Sequence, residues 1–365
     1  MPIRKQRACR RVLVLGGGIA GATVADRLSR AGVEVHLVEK QADLGGHLRE
    51  MGCKATDTCL RCNVCVADRT LRAIKRAPRV SIHTSTEMVS LGCGKTTRFT
   101  AVIAPAGASA ARGRVSVDVD SVVLATGHAP YNPAENSSLG YGRVPNVMTG
   151  VEAERQLATQ NRIVRPSDGL PPARVAFIQC VGSRTDEVFR RPEDTSYCST
   201  VCCAYALRTA QRIKHQAKDA AVTIFYMDIQ NFGKGFDAFY GQCTDKMRLV
   251  RSRPYELSPA ADGAVRVKYA AEGTGAKAAK SVCEEDFDLV VLSVGIRPGA
   301  DNLRLAEQLG VAADESGFLG LKGASCLLDM QREGIYAVGT CESPKDIAGT
   351  MAQAEAVSVE LLGKG

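Results

Sequence analysis

The chemistry this sequence can do is concentrated in its cysteines. The stretch TSYCSTVCCAYA at 195–206 places Cys198, Cys202 and Cys203 within six positions. A helix opening at Ser199 would put Cys198 and Cys202 one turn apart, with Cβ atoms roughly 5–6 Å from each other, a spacing suited to neighbouring corners of a cubane. Cys203 would then lie about 100° around the helix from Cys202 and reach a different metal atom. A second group, Cys53-x5-Cys59-x2-Cys62-x2-Cys65, contains the C-x2-C-x2-C core of many iron–sulfur sites, although Cys53 precedes it and no C-P follows. Each group has competing readings. For 198–203 these are small buried apolar side chains or a labile thiol pair. For 53–65 they are a four-thiolate zinc site, for which two separated paired motifs are usual, or a redox-active pair made by Cys53 and Cys59. Cys9, Cys93, Cys243, Cys283, Cys326 and Cys341 show no metal-ligand spacing.

The elements that would position these groups begin with a nucleotide fingerprint. Arg11–Leu15 reads as a buried strand, Ile19–Ala31 as a helix and Val33–Val38 as a second strand, a βαβ start. Between strand and helix lies Gly16-Gly17-Gly18-Ile19-Ala20-Gly21. In this GxGxxG the first glycine makes the tight turn, the second lets the backbone approach a pyrophosphate, and the third lets the helix pack closely on the sheet. Glu39 closes the second strand 18 residues after Gly21, where a carboxylate can hold a ribose diol. Further strands are expected at Val80–Ser85, Phe99–Ile103 and Val115–Val119.

Two later segments, VVLATGHAP from Val122 and VVLSVGIRP from Val290, resemble each other and suggest two related halves. The expected division is a discontinuous domain of residues 1–164 and 288–365 and an inserted domain of 173–287, with the Pro- and Gly-rich stretch Arg165–Pro172 as hinge. The second half opens on a strand, Ala173–Gln179, but continues Cys180-Val181-Gly182-Ser183-Arg184. Without a GxGxxG its backbone cannot wrap a pyrophosphate in the usual way, which argues against an NAD(P)H site there. Near the end, Gly339 and the turn Lys345-Asp346-Ile347 precede a helix over Ala348–Leu362. Its free N–H groups and partial positive charge suit a reduced flavin's anionic edge, and Asp346 also reads as a simple helix cap.

Composition narrows the class. The 365 residues suffice for two domains, and 45% hydrophobic and 24% charged content is that of a globular chain. No apolar run approaches the ~18 residues of a membrane span, so direct membrane insertion is not expected. The net charge of +8 is scattered without aromatic interleaving, which argues against nucleic acid. The basic start before an apolar run imitates a secretory leader, but the glycines interrupting that run favour a basic overhang before a buried strand. In a cytoplasmic protein 14 cysteines point to metal or redox chemistry rather than to structural disulfides.

Longer strings are more specific. Residues 177–184 (FIQCVGSR), 197–203 (YCSTVCC), 225–229 (FYMDI) and 232–236 (FGKGF) resemble the A subunit of heterodisulfide reductase, and the likeness extends over nearly the whole chain. The resemblance implies an α/β fold of paired dinucleotide-binding domains, as in thioredoxin-reductase-like flavoproteins, with FAD and clusters that exchange electrons with partner subunits. The ferredoxin modules of longer members are lacking, so the chain is similar to the short forms: the corresponding subunit of the quinone-interacting oxidoreductase of sulfate reducers, or of the heterodisulfide-reductase-like complex of sulfur oxidisers. Length and the 51–65 segment incline towards the latter. The resemblance further implies a [4Fe–4S] cluster on Cys180, Cys198, Cys202 and Cys203, with a second on Cys53, Cys59, Cys62 and Cys65. FAD would be held by Gly16, Gly18, Ile19, Ala20, Gly21, Glu39, Lys40, Gly46, His47, Ala125, Thr126, Gly127, Gly339, Lys345, Asp346 and Ile347. A homodimer or larger heteromer in the cytoplasm is expected. A stand-alone pyridine-nucleotide disulfide reductase and a zinc-stabilised scaffold are the rival readings. No general acid–base pair is found, and His47 reads as a cofactor-loop residue. Arg208 is either added charge near the cysteine pair or a solvated cation.

Overall fold

The structure, a computed structural model, describes residues 9–107, 113–192, 194–231, 233–271, 281–320 and 330–363. Along the chain, the strands of two five-stranded parallel sheets are β1 (Arg11–Leu15), β2 (Glu34–Val38), β3 (Val80–His83), β4 (Ser121–Leu124), β5 (Val147–Thr149), β6 (Arg174–Val181), β7 (Ala221–Tyr226), β8 (Arg248–Arg251), β9 (Leu289–Val294) and β10 (Ile335–Ala337). The helices are α1 (Ile19–Arg30), α2 (Val64–Ile74), α3 (Gly150–Gln160), α4 (Cys202–Gln216), α5 (Phe236–Thr244), α6 (Asn302–Leu309) and α7 (Ile347–Gly363).

The chain divides into two compact units, one of residues 1–49, 63–129 and 297–365, the other of 50–62 and 130–296. In the first, the strand order is β10-β4-β1-β2-β3. Val12, Leu13 and Val14 are fully buried, as expected of a central parallel strand covered on both faces. One face packs on an antiparallel ribbon of Thr86–Cys93, Phe99–Pro105 and Val115–Val119, through Leu13, Phe99, Ile103 and Leu124. In the second unit the order is β8-β7-β6-β9-β5. Phe177, Leu207, Ile224 and Val291 pack one face under α3 and α4. Ile178, Phe225, Val267 and Phe287 pack the other against the antiparallel strands Glu256–Pro259, Val265–Ala271 and Ser281–Phe287. Counted from each nucleotide-type strand, both sheets share the order 3-2-1-4 with one further strand beside the fourth, the doubly wound arrangement. VVLATG and VVLSVG are those fourth strands, β4 and β9.

The division differs from the sequence expectation. Residues 130–164 belong to the second unit because β5 pairs in parallel with β9, Val290 opposite Val147. The expected hinge at Arg165–Pro172 is therefore a loop inside that unit, tied down by Ser167 N–H donating to the Asn146 side chain at 3.1 Å. Residues 50–62 leave the first unit likewise.

Candidate functional site

The glycine turn after β1 is shaped by contact on three sides and open on one. Gly16 has φ +108°, and a Cβ there would stand 2.2 Å from the Ala125 carbonyl oxygen. A Cβ on Gly21 would stand 2.0 Å from the Gly16 oxygen, so the start of α1 lies directly on the turn. Gly18, by contrast, meets nothing within 4 Å and caps α1 without any side-chain hydrogen bond. Free N–H groups and an open approach at a helix N-terminus are what a pyrophosphate requires. Ile19 and Ala20 form the first turn. Glu39 is buried at the end of β2, its carboxylate accepting from Gly17 N–H at 2.7 Å and Gln41 N–H at 2.8 Å, while Lys40 pairs with Asp301 at 3.0 Å. On this observation of an open cradle the residues fit a dinucleotide.

Around the same turn lie the other expected positions. A Cβ built on Gly46 would be 3.5 Å from the Gly18 Cα. Ala125 N–H continues the ladder to Leu15 O at 2.7 Å, Thr126 Oγ1 meets Asn302 at 3.3 Å, and Gly127 and Gly339 both have positive φ, +77° and +78°. His47 Nε2 meets the His128 carbonyl oxygen at 2.8 Å and the two rings stack at 4.2 Å, while His128 Nδ1 meets Thr340 Oγ1 at 2.9 Å. Burial, reinforced by the neighbouring His47, pushes the His128 imidazole down to about 3, so it is neutral at physiological pH. Lys345 is committed to Glu342 at 2.7 Å and the Gly339 carbonyl at 2.8 Å, which offsets its charge where it stands. Asp346 accepts from Gly349 N–H at 2.7 Å and caps α7, which opens at Ile347. His128, Thr340 and Asn302 were missed in the sequence; the signal for His128 was its place directly after Ala125-Thr126-Gly127.

In the second unit the position equivalent to the glycine turn is built otherwise. Cys180 takes a left-handed φ of +58° within β6, and the register to β9 shifts between Ile178 and Val181. A non-glycine residue in this conformation inside a strand is a strained bulge that re-aims its side chain. Arg253 pins it, donating to the Cys180 carbonyl at 3.2 Å and to Thr185 Oγ1 at 3.3 Å. A Cβ on Gly182 would fall 2.2 Å from the Tyr131 ring, so that side of the turn is filled.

The helix expected to open at Ser199 opens at Cys202 instead. Thr200 adopts φ +59°, which an α-helix cannot contain, and its N–H donates to Cys198 Sγ at 3.3 Å. Cys202 and Cys203 are thus the first two residues of α4, facing their sulfurs into the field of a helix N-terminus. Ser199 Oγ joins Ser183 Oγ at 2.9 Å and accepts from Ile296 N–H at 2.8 Å, and Tyr197 donates to the Ile296 carbonyl at 2.9 Å.

Cys180, Cys198, Cys202 and Cys203 line one cavity with Ser183, Arg184, Ser199, Thr200 and Gln230, of about 10 Å³, room for roughly one water. A larger group would enter only as the thiols turn outward. Arg184 forms a forked pair with Asp228 beside it. Burial pushes the Cys180, Cys202 and Cys203 thiols up, Cys203 to about 11, and Arg184 and Arg253 oppose the shift at Cys180. Such thiols are inert as nucleophiles, because only thiolates attack. A metal that displaces their protons would reverse that preference. Among the described residues no three His, Cys, Asp or Glu side chains stand in metal-ligating geometry. What fits an iron–sulfur group is the donor set: four sulfurs, no competing carboxylate or imidazole in the lining, and a helix N-terminus to offset negative charge.

Of the second group, Cys53, Cys59 and Cys62 sit on the 50–62 loop of the second unit and Cys65 on the first turn of α2 in the first. Cys53, Cys59 and Cys65 are exposed. Arg61 N–H donates to Cys59 Sγ at 3.4 Å with Arg61 at φ +52°, the same local turn that Thr200 makes on Cys198. Among the remaining cysteines, Cys341 and Cys243 are buried packing residues and Cys326 lies outside the described residues.

Comparison with known proteins bears on the fold and on the relatives of the chain. The profile of the NAD(P)-binding Rossmann-like domain matches residues 14–66. The A subunit of the H(2):CoB-CoM heterodisulfide,ferredoxin reductase of Methanothermobacter thermautotrophicus is 30% identical over 94% of this chain and 62% of that protein. This chain is similar to the heterodisulfide reductase A subunit over most of its length. An iron–sulfur A subunit of CoB--CoM heterodisulfide reductase from Methanopyrus kandleri is 28% identical over 95% of the chain and 63% of the relative. The chain thus spans less than two thirds of the length of these A-subunit relatives. Among solved structures, thioredoxin reductase of Lactococcus lactis superposes with a TM-score of 0.61 at 16% identity, covering 97% of this chain and 98% of that one. Thioredoxin reductase of T. acidophilum gives 0.59 at 16% over the same shares, so this chain has the thioredoxin-reductase-like fold. Among the described residues no helix is long and apolar enough to cross a membrane.

Proposed function

We propose that the chain binds FAD and one or two [4Fe–4S] clusters and is an electron-transfer subunit of a heterodisulfide-reductase-like complex of sulfur metabolism, in the sulfur-oxidising branch. Its setting would be the cytoplasm, as a homodimer joined to partner subunits. FAD would supply the exchange between electron pairs and single electrons, and an iron–sulfur group the one-electron relay. The chain's own residues do the rest. Gly16, Gly18 and Gly21 receive the pyrophosphate and Glu39 the ribose, while the stacked His47 and His128 rings form a wall with Thr340. Cys180 and Cys198, with Cys202 and Cys203, supply the thiolates, and Arg184 and Arg253 temper their charge.

The observation that carries this reading is that these four cysteines line one cavity at the end of β6, the place a second nucleotide fingerprint would occupy. Sulfur oxidation in particular is supported by the resemblance carried by residues 51–65. Exposure of Cys53 and Cys59 in the loop after Gly45-Gly46 favours one rival, a pyridine-nucleotide disulfide reductase. Anaerobic mixing decides between them. Slow flavin reduction by NADPH and NADH but fast equilibration with a one-electron donor supports the proposal. Rapid reduction by either nucleotide, with turnover of a small disulfide, supports the rival.

A further inference from the structure

The 50–62 loop interrupts the first unit in sequence yet is fastened along its length to the second. Near its start, Gly52 lies so close to α3 that a Cβ would stand 2.5 Å from Leu157 Cβ. Lys54 is 2% exposed and pairs with Glu154 of α3 at 2.6 Å, an ion pair with side-chain exposures of 3% and 10%. The same carboxylate accepts from Gly52 N–H at 3.3 Å, and Lys54 also donates to the Gly52 carbonyl at 3.2 Å. A charge pair this deep has lost its hydration and holds only while both partners stay in register.

Further along, two arginines one turn apart on α4 reach the loop backbone. Arg208 Nε donates to the Leu60 carbonyl at 2.8 Å, its guanidinium lying 5.7 Å from the centre of the Phe239 ring. Arg212 donates to the Ala55 carbonyl at 2.8 Å and to Asn161, the residue ending α3, at 2.8 Å. These backbone carbonyls alternate with the cysteines, Ala55 between Cys53 and Cys59, Leu60 between Cys59 and Cys62. The helix that grips them is the helix whose first two residues are Cys202 and Cys203.

We infer that Arg208 and Arg212, with the buried Lys54–Glu154 pair, are positioning residues that fix the Cys53–Cys59–Cys62 loop at a set distance from the Cys180–Cys203 pocket. Cys53, Cys59 and Cys62 thereby ride on the helix that opens with Cys202 and Cys203. The functional consequence rests on the iron–sulfur reading; the clamp itself does not.

The test compares wild type with Arg208→Met/Arg212→Met, which keeps the apolar stems, and Arg208→Lys/Arg212→Lys, which restores a donor at each place. Trypsin acting on the apo-protein should cleave after Lys54 at least ~10-fold faster in the methionine variant, since opening of a local clamp governs access. The lysine variant should return towards wild type. After anaerobic iron–sulfur reconstitution and dithionite reduction, the wild-type electron paramagnetic resonance spectrum should show the splitting of two interacting clusters. The methionine variant should lose that splitting and the lysine variant regain it. Unchanged cleavage in the methionine variant overturns the clamp. Accelerated cleavage with the splitting retained overturns its positioning role. A wild type without iron on the loop removes the iron–sulfur reading of Cys53–Cys62, and the cleavage rates still decide the clamp.

Discussion

The two units are the same construction finished in two ways. In the first, β1 ends in a three-glycine turn, α1 follows at once, and the space in front of Gly18 is open. In the second, β6 ends in a strained bulge at Cys180, some twenty residues intervene, and α4 begins on two buried cysteines. Both present a helix N-terminus at the carboxyl end of a central strand, which favours negative charge. The first offers its amides to an anionic ligand from outside. The second fills the same position with the Tyr131 ring and lines the adjoining cavity with four sulfurs. Small changes of residue at a strand end thus replace an open glycine turn by a cysteine-lined pocket, without altering strand order.

This comparison can be broken at its glycines first. Gly21→Ala forces a Cβ into the Gly16 carbonyl and should destabilise the first unit by roughly 3 kcal/mol, losing flavin as a result. A Cβ at Gly18 meets no protein atom within 4 Å, so Gly18→Ala should leave the melting temperature nearly unchanged while weakening flavin retention ~100-fold; thermal melts and flavin titration read both. Equal losses of stability in the two variants would mean that the open side of the turn is not the cofactor's. In the second unit, Tyr131 is 2% exposed and fills the turn. Tyr131→Ala should cost about 3–5 kcal/mol by denaturant unfolding and still not bring NAD(P)H binding, because the glycine fingerprint is missing as well. Measurable nucleotide binding in that variant would show that Tyr131 alone blocks an otherwise competent cradle.

The smallest expected effect is protonic. The His128 pKa lies at about 3 in the folded chain against 6.5 unperturbed. Unfolded chains therefore take up the proton first as pH falls. The stabilising contribution is complete above about 6.5 and is lost progressively towards 3, at no more than about 1.4 kcal/mol per pH unit. His128→Gln should flatten urea midpoints between about pH 6.5 and 5 relative to wild type. A wild-type curve as flat as the variant's would mean that the imidazole is not held neutral by its surroundings.

Much of the fold could be read from the sequence because its signals are local. Arg11–Leu15, the glycine turn and Glu39 announce a βαβ unit through residue types at fixed offsets, and β1 and β2 lie where periodicity puts them. The twin strands around Val122 and Val290 revealed the repeat. What could not be read depended on long-range pairing or on backbone conformation. The docking of 130–164 on the second sheet is set by β5 against β9, a pairing of three residues from distant parts of the chain. The late start of α4 follows from Thr200 in the left-handed region, which threonine seldom adopts. The grouping of Cys180 with Cys198, Cys202 and Cys203 came from resemblance to a family, whereas Arg208 gave no sign in sequence of its grip on the 50–62 loop.

We propose that the second unit uses cysteine where the first uses glycine, a substitution of metal site for nucleotide site. Its most direct test is iron, acid-labile sulfide and flavin counted on anaerobically prepared Cys203→Ala beside wild type. The prediction is a loss of about four irons and four sulfides per chain with flavin unchanged. Wild-type iron content in Cys203→Ala, or no iron in either protein, would contradict it.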